Sequence, residues 1–455
     1  MTYAEADNRP QRAPLTWLEW AGAPLIGLIS FLVVVGPAPL RPTNILWLQG
    51  SNDPATAYLG WAFYRASPWA WPPAANPRYG LELSGSVLMS DSNPLFALCF
   101  KLLSSMLSQP FQYFGFWLLI CFILQGIFAY GISKKLFVFQ DQRLCSTVLF
   151  IFAPIFLGRF AALERFHLTL AGQWEVLAAI FIYLSPQASR RNLWWTVLVV
   201  IGVLTNPYLL VMIMVIWLAD IFRTLRMRQT QPACVYVNAG LVIGAALVVA
   251  LASGVYAFPD LGAPSLSQAL SSISQGQPGL YKFNLVSPFD SEGWSYFLPR
   301  RANPGPGEYE GYSYLGSGLI FLLACAIVIA IKRPHTVLVG REHYPLAIFL
   351  FGLVFFAASP LVSVGETTIS MPWPNALLLV GNVFRSTGRF VWPVFYMAVV
   401  FMLRVLARTR NPRFLTSILI IAATLQVADT SAGWGHFATS VAKDGSEWPS
   451  PMRSP

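Results

Sequence analysis

Charge is what this sequence has least of. Only 11% of its 455 residues are Asp, Glu, Lys or Arg, while 55% are hydrophobic. A soluble domain carries about 25% charged residues, so a surface facing water all round is excluded. Acids are the scarcer sign, 20 against 30 bases, for a net charge of +10. Cysteine is nearly missing too. Cys99, Cys121, Cys145, Cys234 and Cys325 are odd in number, scattered, and mostly inside apolar runs. That excludes a disulfide framework and a cysteine-spaced metal site, and leaves them as small buried hydrophobes. No internal repeat of the transporter type is present. No small-x-small cleavage site follows the first apolar block, Trp17 to Gly36, and its leader mixes Glu5 and Asp7 with Arg9 and Arg12. The block therefore reads as an uncleaved first helix.

What is there is apolar length. The hydrophobic residues come in blocks of roughly 15 to 23, the length that crosses about 30 Å of hydrocarbon. Lys and Arg gather in the short gaps: Lys134, Lys135 and Arg143; Arg190 and Arg191; Arg223, Arg226 and Arg228; Lys332, Arg333 and Arg341; Arg408, Arg410 and Arg413. Such placement marks cytoplasmic loops rather than a nucleic-acid surface, so no nucleic-acid partner is expected beside the membrane lipids.

Taking the basic gaps as cytoplasmic predicts an all-α polytopic membrane protein of about eleven transmembrane helices. Residues 1–16 form a cytoplasmic tail, 17–428 the membrane domain, and 429–455 a tail on the outer side. Two long outer loops cover about 38–110 and 258–314. The stretch Trp194 to Phe222 divides at Asn206-Pro207, because proline disfavours helix at the residue before it. Most remaining acids then fall on the outer face, which places the polar chemistry above a membrane bundle. The expected location is a bacterial inner membrane with the N-terminus in the cytoplasm.

Four stretches carry candidate chemistry. "SNDPATAYLGWAFYR" (51–65) predicts a short helix starting at Asp53-Pro54, with Tyr58, Trp61, Ala62 and Arg65 on one aromatic face suited to the membrane interface. "MSDSNPLFALCFKLL" places Asp91 before a second helix start. Either acid suits an N-cap, and two such acids in one loop point to a shared site. "GRFAALERFHLTLAGQWE" offers Glu164, Arg165 and His167, with Glu164 and His167 spaced to share a helix face, and places Glu175 deep enough to need a partner. "FRSTGRFVWP" sets Arg385 and Arg389 four apart at an outer helix start, where guanidinium forks match phosphate oxygens. "GEYEGYSYLGSG" mixes Glu308 and Glu310 with tyrosines and glycines, a composition suited to sugar binding and equally to an interfacial turn.

The runs "SDSNPLFALCFKLL", "FQYFGFWLLICFILQG", "RFHLTLAGQW" and "GEYEGYSYLG" resemble a family of bacterial polytopic membrane proteins with no assigned activity. Outer-loop acids, outer-end arginines and a large first outer loop together resemble the integral-membrane glycosyltransferases of the GT-C superfamily. That resemblance implies transfer of a sugar from a polyprenyl-phosphate carrier to a glycan or lipid acceptor of the envelope at the outer face. It also implies that one outer-loop acid, Asp53 by position, is the general base. The commonest GT-C pattern has two adjacent acids, and Asn52-Asp53 supplies one. Whether Asp53 or Asp91 is the base, and whether a divalent metal takes part, therefore stay open. The rival functions are a transporter or flippase of lipid-linked saccharide and a non-catalytic scaffold of envelope assembly.

Overall fold

The computed structural model describes residues 16–49, 52–79, 85–160, 166–186, 190–228, 230–254, 278–302 and 305–442. Seven stretches among them are helical, long and apolar enough to cross a membrane: Phe114–Leu136, Gln140–Phe160, Pro207–Arg226, Pro232–Ala252, Pro334–Ala358, Thr387–Leu406 and Pro412–Trp434. At 1.5 Å per residue each is about 30 Å or more in length. Ala21–Val34, Thr169–Tyr183, Arg191–Thr205 and Ser317–Lys332 are shorter apolar helices. The Asn206-Pro207 break is real. Asn206 is extended, and its side chain accepts a hydrogen bond from the Tyr208 N–H, so one residue both ends the Arg191–Thr205 helix and caps Pro207–Arg226. The two helices fold back on each other, because the Trp195 indole reaches Asp220 at 2.9 Å.

The helices differ in how much of their surface the protein covers. In Gln140–Phe160 and Thr387–Leu406, 72% of the apolar window is buried, whereas in Pro232–Ala252 and Pro334–Ala358 only 11% is. The first pair forms the core, and the second pair leaves an apolar surface suited to lipid. Contacts between helix ends sort the charges. Asp141 and Gln142 meet Thr416, Tyr183 meets His343, and the guanidinium of Arg404 reaches the Leu338 carbonyl. The basic clusters thus collect at one end of the bundle, and the acids of the first and second loops at the other.

Several boundaries differ from the sequence expectation. The last long helix continues through Trp434, and a short helix, Phe437–Val441, follows. Residues 429–442 therefore pack on the bundle rather than trailing from it, and Trp434 is buried against Phe152. The physical reason is Asp429, which accepts hydrogen bonds from Ser295, the Tyr296 N–H, Tyr314 and Ser317 and so ties the helix to the second loop. The Tyr344–Ala358 helix stops at Ser359 and gives way to an antiparallel hairpin, Leu361–Val364 with Thr367–Ser370. A smaller hairpin pairs Ala75–Asn76 with Gly85–Ser86, so the described residues are mostly helical with two small β-hairpins. The Asn52–Ala66 helix also turns its aromatic face inward rather than toward lipid. Trp61 and Tyr64 are fully buried, and the Trp61 indole donates to the Phe111 carbonyl at 2.9 Å.

Candidate functional site

At the acidic end, five chain segments bring ionisable side chains together. Asp53 lies in the first turn of Asn52–Ala66, just ahead of Pro54. There its charge faces the free N–H groups and the positive end of the helix dipole. Glu310 sits in a single 3-10 turn, Glu308–Gly311, entered through Gly307 at φ +78°. Arg389 sits in a second such turn, Thr387–Val391. The two turns touch through backbone. A Cβ at Gly388 would lie 2.7 Å from the Gly311 Cα, so only glycine permits the approach that sets Arg389 beside Glu310.

Glu310 is the hub. Arg389 donates to it through Nε at 2.8 Å and Nη2 at 2.6 Å, a bidentate fork. Arg159 donates from the other side at 2.9 Å. All three side chains are almost completely buried. Burial works to raise the Glu310 carboxyl, but the charges of Arg389 and Arg159, with the hydrogen bonds from Arg389, overcome it and hold it well below the usual carboxylate range. Arg389 also lies over the Tyr208 ring at 4.7 Å.

His167 joins this hub to Asp53. Its Nδ1 is 3.3 Å from an Asp53 carboxylate oxygen, and its Nε2 is 3.3 Å from Arg389 Nη2. One tautomer satisfies both contacts: Nδ1–H donates to Asp53, and the Nε2 lone pair accepts from arginine. The Asp53 side chain keeps 42% of its surface exposed, so it offers lone pairs to a ligand while histidine holds it in place.

Asp91 is a different kind of acid. The residue is part-buried, one carboxylate oxygen accepts from the Thr169 hydroxyl, and the other oxygen is buried and has no partner among the described residues. Thr169 in turn accepts from Asn206 at 2.9 Å. Burial raises the Asp91 carboxyl, and the nearby Asp53 charge adds to this against the lowering effects of His167, Thr169 and Arg389. Asp91 is not a helix cap. It sits at φ +54°, and the cap of Pro94–Leu102 is Asn93, whose side chain accepts from the Phe96 N–H.

The other sequence candidates fall outside this hub. Glu164 and Arg165 lie outside the described residues. Glu308, two residues from Glu310, points elsewhere. Its carboxylate accepts from Arg301 at 2.6 Å and Asn284 at 3.0 Å. Burial tends to raise it, and these hydrogen bonds and the Arg301 charge bring it below its ordinary value. Both loop glutamates are therefore paired with arginines. Arg385 is exposed, and because residues 384–386 are not helical, the spacing of four does not place it beside Arg389. Glu175 is fully buried, and neither oxygen has a partner among the described residues. An ionised carboxylate left there without a partner would be costly. Sequence reasoning missed Thr169, Asn206 and Tyr208 as neighbours of the site. The Asn206-Pro207 break was the one visible signal, since a capping asparagine between two helices sits at a bundle end. Among the described residues, no group of three or more His, Cys, Asp or Glu side chains is arranged to hold a metal ion.

Long apolar helices, with an ion cluster sealed at one end beside a half-exposed carboxylate, define an α-helical membrane protein with a polar site at the bundle end. The chain belongs to the family described as "Domain of unknown function (DUF6311)", whose model matches residues 24–431. No curated protein and no solved structure matches it.

Proposed function

We propose that this protein is a GT-C-type membrane glycosyltransferase of about eleven spans. It would move a sugar from a polyprenyl-phosphate carrier to a glycan or lipid acceptor at the outer face of a bacterial inner membrane. One observation carries the reading: Asp53, half exposed, is held by His167 beside a buried pair of arginines that share one glutamate. Asp53 takes the proton of the acceptor hydroxyl, and the acceptor oxygen attacks the anomeric carbon. The bond from that carbon to the phosphate oxygen breaks, and the carrier phosphate leaves with the electron pair. A general base must reach the proton it removes, and of the two loop acids Asp53 has the open surface. Asp91 has its carboxyl turned in against Thr169, and burial raises it above its ordinary value.

Charge balance supports the same assignment. When Asp53 gains the acceptor proton, the cluster that holds Arg159 and Arg389 becomes one unit more positive as negative charge develops on the departing phosphate. The pre-formed arginine fork needs no rearrangement to provide this.

The test is transfer from a polyprenyl-phosphate hexose donor in liposomes. Asp53→Asn should lower turnover by about 10² to 10⁴ with unchanged expression and melting. Glu175→Gln, which alters the one buried acid that a transporter would use, should leave transfer intact. Full transfer by Asp53→Asn overturns the proposal.

A further inference from the structure

At the opposite end of the bundle lies a second ion cluster that the transferase reading does not use. Asp220 sits thirteen residues beyond Pro207 on the same helix, about 20 Å along its axis. It is buried, and it pairs with Arg191 and Arg223 and accepts from Trp195 at 2.9 Å. Arg223 also donates to the Tyr183 carbonyl at 2.7 Å and lies over the Tyr183 ring at 3.9 Å. Beside this cluster opens a cavity of about 300 Å³ lined by Arg190, Arg191, Asn192, Trp195, Asp220 and Asn238. Its further wall is apolar and comes from Pro232–Ala252, the helix whose surface the protein leaves almost bare.

Three features of this cavity point to an anion. Positive charge is in surplus, since Arg190 and Arg191 line the cavity with a single carboxylate, Asp220, which Arg223 also pairs from behind. A donor is left over, because the Nε of Arg191 is buried without a partner among the described residues. The 15-residue helix that begins at Arg191 has no side-chain cap, so its first N–H groups and dipole also favour negative charge there. Trp194 and Tyr236, each next in sequence to a residue of the cavity wall, are exposed aromatics of the kind enriched at the headgroup level of a bilayer.

We infer that this cavity is a phosphate-group site that seats the headgroup of an anionic phospholipid, with the acyl chains running along Pro232–Ala252. Basic pockets between transmembrane helices bind such headgroups. Asp220 acts as a positioning residue. It fixes the guanidinium of Arg191 at the cavity wall, and the phosphate takes the donors that Asp220 leaves free. The inference stands independently of the transferase reading.

The experiment uses the full chain in mild detergent, titrated with phosphatidylglycerol, phosphatidylcholine or inorganic phosphate, and read by native mass spectrometry and thermal shift. Phosphatidylglycerol should be retained in preference to phosphatidylcholine and should raise the melting temperature. Arg190→Gln and Arg191→Gln should each weaken retention about fivefold. Arg191→Lys, which keeps the charge and loses the fork, should weaken it less. Arg190 is exposed, so its variant keeps the test alive if the Arg191 variants do not fold. Equal retention of both lipids, or unchanged retention by Arg190→Gln in a folded protein, overturns the site. Stabilisation by millimolar inorganic phosphate equal to that by phosphatidylglycerol overturns the lipid assignment and leaves a site for free phosphate.

Discussion

The two ion clusters of this protein contain similar groups and are built in opposite ways. Around Asp220, the partners are near in sequence: Arg223 is one turn along the same helix, and Arg191 is on the other arm of the same hairpin. Around Glu310, the partners come from residues 159, 167 and 389, joined through two glycine-lined turns. The Asp220 cluster opens onto a cavity and has positive charge to spare. The Glu310 cluster is sealed, both of its arginines pair with the same carboxylate, and its reach to the outside is through His167 and Asp53. A sealed cluster fixes geometry and a local field. An open one has capacity left for a ligand.

The largest test of this contrast is Glu310→Gln. It leaves two arginines buried without a counter-charge, which should destabilise the protein by about 3–5 kcal/mol. Thermal unfolding in detergent, followed by size exclusion, measures this. The sign of the pH dependence follows from a carboxyl held low in the folded state. The Glu310 contribution is complete above its unfolded value of about 4.3 and is lost as pH falls through the lower folded value, whereas the Gln variant should lack that term. A melting temperature like that of the parent would mean that the sealed cluster holds nothing together.

Asp220→Asn should have a smaller effect, about 1–3 kcal/mol, because its arginines border a cavity where solvent or an anion can replace the lost charge. Added phosphatidylglycerol should recover part of the loss for Asp220→Asn and none for Glu310→Gln. Equal losses in the two variants, with no recovery for either, would erase the distinction between open and sealed clusters.

The smallest effect is expected from Asp91→Asn. At acid pH the native side chain carries its proton, so an amide of the same shape should change stability there by about 0.5 kcal/mol or less. The pH profile carries the sharper reading. With the folded value raised, the native protein binds more protons folded than unfolded, so it loses stability as pH rises from about 4 through that raised value. The Asn variant should not show this decline. Parallel stability profiles for the two proteins would mean that Asp91 is ionised in the fold.

Much of the helical frame was legible in the sequence. Apolar blocks of membrane length became helices because a backbone in such surroundings must satisfy its own hydrogen bonds, and a helix does so locally. The Asn206-Pro207 break was legible for the same local reason: proline disfavours helix before it, and asparagine caps the helix after it. Inferences from spacing failed where the chain is not helical. Arg385 and Arg389 look like neighbours at a spacing of four, but the turn between them sends one to the surface and the other into the core. Glu308 and Glu310 look like one motif, and the 3-10 turn sends them to different arginines. Asp91 looks like a cap, while Asn93, two residues later, does the capping. Asp429 gave no sign that it would bind three residues of the second loop and Ser317 at the start of the next helix, and carry the last helix beyond residue 428.

By itself, then, the sequence determined the helices, the break at Asn206-Pro207 and the segregation of basic from acidic residues, because each depends on neighbours within a turn or two of chain. Only the tertiary structure decided which acid is open and which is sealed. Asp53 and Asp91 belong to the same loop and the same residue type. What separates them is that Asp91 is closed in against Thr169 and Asn206, while Asp53 meets His167 with one side still exposed. Burial sets how strongly the charged form is disfavoured, and burial depends on segments more than a hundred residues apart in the chain coming together in space.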